Sequence, residues 1–335
     1  MNKQWALYFD NLLNRDKYLS GLNRRVEYFK DRPSSASTRT IDALPDVIAA
    51  PDFTVPEVNA RDFCIEALQQ SIRSRGCLIV RDFFTVDEVD EMRAYVEHSF
   101  AVNREGRLNR YLTKQVDMSG VLKQTREDIQ RKRQQIPTYT DTVRLGKKFP
   151  KPYIGDSKSF LTAQTPIVCE RMLGLFERKR LKDVLAQYFE NGPCVSIYKW
   201  ALRKSAPPQQ PIDFHQDGTF MGEEIDSLNC WIPVSDCGAG YDVHGLDVVP
   251  VRLKRLFGAG TGVLGWTISE QAVVDEFGRD AIVSPTFRQG DAFFFDHLLV
   301  HRTQSIPGFS QQRYAIETWF FDAVNFPQNQ IPVRW

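Results

Sequence analysis

From Pro193 to Asp322 the apolar residues fall into short runs: "CVSIYKWALR", "LNCWIPVSD", "LDVVP", "AIVSPTF", "DAFFFDHLLVHRT" and "RYAIETWFFD". β-branched and aromatic side chains dominate them, and Gly, Pro, Asn and Asp separate them, so each run is predicted to be a strand. Strands that follow one another without long helices between them imply a sandwich or barrel. Upstream the apolar period lengthens to that of a helix. "ARDFCIEALQQSIRSRG" predicts a helix that stops at Gly76. "CLIVRDF" predicts a short strand, and "TVDEVDEMRAYVEHSF" a helix opened by Thr85 with acids in its first turn. Two more helices are expected around "TPIVCERMLGLF" and "KRLKDVLAQYF". The fold class predicted is mainly β with flanking helices (α+β), the helices covering the outer face of the β body.

The remaining sequence divides around this body. Residues 1–60 read as a helical lead-in closed by the connector "DRPSSASTRTIDALPD", and 61–335 as a single domain with its core at about 193–322. Within it, 104–151 is a basic helical insert holding 13 Lys or Arg against 5 Asp or Glu. Its charge has two readings: a solvated surface, or a flank that attracts an anionic substrate together with Arg252, Lys254 and Arg255. The whole chain is nearly neutral, at +1, which argues against nucleic acid as the main partner. Six cysteines without CxxC spacing read as reduced thiols. No apolar run reaches the roughly 18 residues that span a bilayer, and charges interrupt the N-terminal amphipathic stretch "MNKQWALYFDNLLNRDKYL". No membrane partner and a cytoplasmic location are therefore expected. "GAGTGVLG" lacks the strand, helix and lysine of a phosphate-binding loop and reads as a flexible loop.

The candidate chemistry lies in "DFHQDGTF". In an extended segment His215 and Asp217 point to one face, because strand side chains repeat every two residues. Two ligands so placed can occupy neighbouring positions on one metal ion, and a third would come from a distant strand. The chain has five histidines: His98, His215, His244, His297 and His301. His98 falls in a predicted helix and reads as structural, whereas His244 either enters the pocket or caps a turn. His297 and His301 share one late run. Two histidines and a carboxylate on one side of a metal form the facial set of non-haem iron oxygenases, with the opposite side open. Arg313, within the apolar run "QQRYAIETWFF", would be buried and would require a carboxylate partner, either internal or on a cosubstrate.

These pieces resemble the phytanoyl-CoA dioxygenase family of Fe(II)- and 2-oxoglutarate-dependent oxygenases. The resemblance is carried by "DFHQDGTF", by "NCWIPVSDCGAGYDVHGLDVVP" and by "GDAFFFDHLLVHRTQS" with "RYAIETWFF". "GCLIVRDFFTVDEVDEMRAYV" resembles the family's N-terminal strand and helix. It implies a double-stranded β-helix (jelly-roll, cupin-like) core. It implies His215, Asp217 and His301 as iron ligands, with His301 preferred to His297 because Thr303 and Arg313 follow it in the family's order. Arg313 and Thr303 would then hold 2-oxoglutarate, Asn229 and Trp231 would line its pocket, and O2 would be consumed. A carboxylate at 217 favours hydroxylation of an unactivated carbon over halogenation. The chain departs from the family at "GLDVVPVRL", where a Pro-Gly-Ser-His turn is usual, and in the insertion-like "FGAGTGVLGWTISEQAVVDEFGRD". Both fall where the substrate pocket is shaped, so the substrate is expected only to be a small molecule, with an anionic one in view. The other reading is a non-redox jelly-roll protein that binds a metal or a small molecule.

Overall fold

The computed structural model describes residues 3–35, 39–45, 47, 52–103, 159–206, 212–304, 308–327 and 330–335. The basic stretch 104–151 lies outside the described residues. The helical part comprises α1 (Lys3–Glu27), α2 (Ile65–Arg75), α3 (Val86–Asn103), α4 (Pro166–Arg178) and α5 (Leu181–Tyr188). Their ends follow the local sequence. Gly76, at φ +74°, closes α2 in the left-handed conformation that a glycine adopts without strain. Thr85 and Glu88 exchange side-chain-to-backbone hydrogen bonds at the start of α3, 3.3 Å and 2.9 Å long. No helix among the described residues is long and apolar enough to cross a membrane.

The strands are β1 (Glu57–Asn59), β2 (Cys77–Arg81), β3 (Ser159–Leu161), β4 (Pro193–Ser205), β5 (Ser227–Pro233), β6 (Cys237–Gly238), β7 (Leu246–Val249), β8 (Thr286–Phe287), β9 (Ala292–Phe295), β10 (Val300–Thr303), β11 (Arg313–Asp322) and β12 (Pro332–Arg334). The large sheet runs β1-β2-β9-β5-β11-β4-β12, with β3 also paired to β4. Opposite it, β10 pairs with β7 and β6 with β8, and single bridges link His215 to His301, Phe214 to Ile268 and Val248 to Val283. The two facing sheets form the double-stranded β-helix, flanked by helices.

Side-chain alternation divides the interior into layers. Leu228, Cys230, Ile232, Ile316 and Phe320 face the helices, in a core that also takes Leu7, Leu22 and Val26 of α1. Trp231, Phe293, Phe295, Trp319 and Phe321 face the small sheet and meet Leu246 and Val248. A third cluster covers the small sheet's outer surface: Phe214, Val249 and Val300 pack on Ile268 and on Val273 of α7 (Glu270–Phe277). The insertion-like segment is thus an extra layer over the small sheet.

Two details differ from the sequence reading. "DAFFFDHLLVHRT" is two strands in different sheets, β9 and β10, joined by a turn at Asp296–Leu299 where the Asp296 carboxylate accepts from the Leu298 N–H at 2.7 Å. Arg252, expected among the charges facing substrate, is buried against Asp42 and Asp296. Arg39 also pairs with Asp296, tying the N-terminal lead-in to the jelly roll.

Candidate metal centre

His215 and His301 sit directly opposite each other on neighbouring chain segments. Each backbone N–H donates to the other's carbonyl, at 2.9 Å and 3.0 Å, and the ring centroids are 4.4 Å apart. Asp217 arrives by another route than strand alternation. Only Phe214 and His215 are bridged, after which the chain turns and Asp217 adopts helical angles (φ −64°, ψ −21°) before the single turn α6 (Gly218–Met221). The turn is pinned by the Gly218 N–H, which donates to the His297 carbonyl at 2.9 Å. It is also tight: a Cβ on Gly218 would lie 2.9 Å from the His297 ring. The result is a cluster in which one ligand atom from each of His215, Asp217 and His301 lies within 4.8 Å of the other two.

Hydrogen bonding separates His301 from His297. The Nδ1–H of His301 donates to the Leu299 carbonyl at 3.0 Å, which leaves the Nε2 lone pair free, 3.8 Å from Asp217 Oδ2. The Nε2–H of His297 donates to the Glu223 carbonyl at 3.0 Å, and its Nδ1 accepts from the Ser227 hydroxyl at 2.9 Å. Both nitrogens of His297 are used, so it has no lone pair to offer a metal. His215 is held neutral, its pKa pushed down to about 3 by burial and then by His301, and its Nδ1 has no protein partner.

Asp217 divides its two oxygens. Oδ1 accepts from the Lys199 ammonium of β4 at 2.7 Å, and Oδ2 faces His301. Burial works to raise this carboxyl, but Lys199 and the two imidazoles outweigh it and hold it well below the ordinary carboxylate range. Two imidazoles and an ionised carboxylate are a donor set that could hold a divalent cation. Nδ1 of His215 is buried without a hydrogen-bond partner, which packing alone does not explain.

The other predicted residues line the same interior. Arg313 is 3% exposed; Nη1 donates to the carbonyls of Gly245 (3.1 Å) and His244 (3.4 Å), and Nε is unpartnered. No carboxylate forms an ion pair with it among the described residues, and burial pushes its pKa down to about 10. Trp231 lies under this guanidinium, with 5.9 Å between its ring centroid and Cζ. Asn229 is buried on the same inward face with both amide atoms unpartnered, as is Nε2 of His244, the residue whose carbonyl meets Arg313. Thr303 lies half-buried at the end of β10. His98 is buried in α3, away from this cluster.

Three nearby residues were not singled out from sequence. Lys199 looked like an ordinary strand lysine; its one signal is a charge inside an apolar run. Phe220 and Trp266 pack 4.8 Å apart, and their ring centroids lie 6.4 Å and 5.6 Å from that of His215. Beside them the inner wall carries Glu317, which accepts from Arg203 Nε at 2.9 Å and from Trp319 Nε1 at 3.3 Å.

No protein-family model matches the sequence, and no curated protein does. Among solved structures, the chain is similar to the non-heme alpha-ketoglutarate-dependent carbocyclase SnoK of nogalamycin biosynthesis, at 16% identity and a TM-score of 0.49, over 80% of this chain and 87% of that one. It is similar to the epimerase SnoN of the same biosynthesis at 14% identity and a TM-score of 0.48, over 77% and 83%. With EctD from S. alaskensis with bound Fe it shares 15% identity and a TM-score of 0.48, over 88% of each chain.

Proposed function

We propose that the chain is an Fe(II)- and 2-oxoglutarate-dependent dioxygenase that hydroxylates an unactivated carbon of a small molecule. The observation that carries this reading is the pairing of two features in one interior. One is a compact His215–Asp217–His301 donor set, and the other is the buried Arg313 guanidinium without a carboxylate. Neither is fully satisfied by protein groups among the described residues. A buried, unpaired cation is costly, and a diacid cosubstrate would satisfy it while filling the open side of a three-ligand metal.

In this reading His215, Asp217 and His301 hold the iron. Lys199 donates to Asp217 Oδ1 at 2.7 Å, so Oδ2, 3.8 Å from His301 Nε2, is the oxygen that would face the iron. Arg313, with Thr303, grips the far carboxylate of 2-oxoglutarate, and Asn229 and Trp231 line its path. Iron supplies the oxidising chemistry when it is bound. The protein supplies orientation and apolar surroundings, with the Phe295 ring 4.9 Å from that of His301 and backed by Trp319 at 5.6 Å. One atom of O2 enters the substrate C–H bond and the other enters succinate, with release of CO2. An intact Asp217 favours hydroxylation over halogenation. The test is succinate release across a metabolite panel with Fe(II), 2-oxoglutarate and O2. Wild type is expected to respond to a subset of compounds and Asp217→Ala to none. Undiminished turnover by Asp217→Ala would remove the assignment.

A further inference from the structure

We infer that the substrate presents a flat, apolar ring system to Phe220 and Trp266; the inference rests on the oxygenase reading above and names the substrate class of that site. Both rings are only half-buried, stand 4.8 Å apart edge to face, and rise directly beside His215. They continue outward into exposed apolar side chains. Ile212 (42% exposed), Val263 (89%) and Leu264 (48%) are three of the six exposed large hydrophobic residues of the described protein. The three are held together at this mouth, because the Val263 N–H donates to the Asp213 carboxylate at 2.7 Å, one residue from Ile212. Apolar side chains gathered at the rim of a polar metal centre mark a binding surface.

The segment that carries them is built rather than slack. The sequence reading took "GAGTGVLG" as a flexible loop, but Thr267 laces it. The Thr267 carbonyl accepts from the N–H groups of Gly260 and Gly262 at 3.0 Å each, and the Thr267 hydroxyl accepts from the Leu264 N–H at 3.0 Å. A Cβ on Gly262 would lie 2.3 Å from Thr267 Oγ1, so the lacing requires a residue without one. Trp266 is therefore delivered to a fixed place. A fixed edge-to-face aromatic pair recognises another ring by stacking and edge contacts. The occupant is thus a flat ring compound, with its reacting carbon reaching past Phe220 towards the metal.

The test uses full-length protein loaded with Co(II) and 2-oxoglutarate, in which the cobalt visible spectrum reports both metal uptake and the arrival of a ligand beside the metal. Titration with 2-naphthol is expected to give a saturable spectral change, with affinity about tenfold tighter than for its saturated counterpart decahydro-2-naphthol. Trp266→Ala and Phe220→Ala should each weaken 2-naphthol about tenfold, while Trp266→Phe stays close to wild type. Both rings are half-exposed, and an unchanged cobalt spectrum before titration verifies that each variant is intact. Equal affinity for the two probes, or unaltered naphthol binding in both alanine variants, overturns the inference. So does binding of phosphatidylcholine vesicles that Val263→Ser/Leu264→Ser abolishes while Trp266→Ala leaves naphthol unaffected, which would make the rim a lipid contact. Failure to take up Co(II) at all overturns instead the oxygenase reading beneath it.

Discussion

Replacing Arg313 with methionine should make the ligand-free protein more stable and deprive it of its cosubstrate. The guanidinium is 3% exposed, and burial lowers its pKa from 12.5 to about 10. Because the group stays charged at neutral pH in both folded and unfolded chains, that depression is a folding cost. At about 1.4 kcal/mol per tenfold it amounts to roughly 3 kcal/mol. Methionine, flexible and apolar, fills much of the same space. The substitution leaves the carbonyls of Gly245 and His244 without their donor, a loss of about 1–2 kcal/mol. The net expectation is a gain of about 1–2 kcal/mol for Arg313→Met, read from urea unfolding of metal-free protein at pH 7.5. Repeating the unfolding with Mn(II) and 2-oxoglutarate gives the opposite ranking. A ligand at a hundred times its Kd adds about 2.7 kcal/mol to wild type and should add almost nothing to the variant. A metal-free variant less stable than wild type, or one that 2-oxoglutarate still protects equally, would refute the reasoning, because Arg313 would then serve the fold.

Other substitutions probe the surroundings of the site. Asp226 is buried, with Oδ1 unpartnered and Oδ2 accepting the Thr40 N–H at 2.8 Å; burial raises its pKa from 3.8 to about 6. The folded protein therefore holds this proton more tightly than the unfolded chain, and stability is lost as pH rises from about 4 to 6. Asp226→Asn should be more stable than wild type by up to about 3 kcal/mol at pH 7.5 and equal to it near pH 4; parallel urea-unfolding profiles across that range would exclude this. Gly218→Ala would press a methyl group 2.9 Å from the His297 ring, 3.0 Å from Leu298 and 3.2 Å from Leu256. His297 is fixed by two hydrogen bonds and cannot yield, so a loss of about 1–3 kcal/mol is expected, with weaker Mn(II) binding because Asp217 is the preceding residue. An unchanged melting temperature and metal affinity would show that the turn has slack.

Most strands were legible because alternation and turn residues are local signals, and β4, β5, β7 and β11 fall within the predicted runs or a residue or two beyond them. The break between β9 and β10 was hidden: Leu298 and Leu299 in the turn are as buried as the strands they join, so polarity gave no warning. His215 and Asp217 were found as a pair for a geometric reason that does not hold. The turn after His215, tight enough to need Gly218, brings the carboxylate round where strand alternation was expected to. The choice of His301 over His297 came from resemblance, and the physical distinction is the tautomer that each backbone carbonyl dictates. That distinction depends on Leu299, Glu223 and Ser227 lying where only the folded chain puts them. Lys199 and Trp266 were missed for a related reason. The chemical meaning of each comes from a neighbour 18 or 51 residues away in the sequence.

The central claim is that His215, Asp217 and His301 hold one iron within reach of a diacid on Arg313. Its most direct test is the weak visible charge-transfer absorption of 2-oxoglutarate chelated to Fe(II), recorded anaerobically. Wild type should develop the band only when both components are present, and His301→Ala should develop none. Absence of the band in wild type, or its full persistence in His301→Ala, would contradict the account.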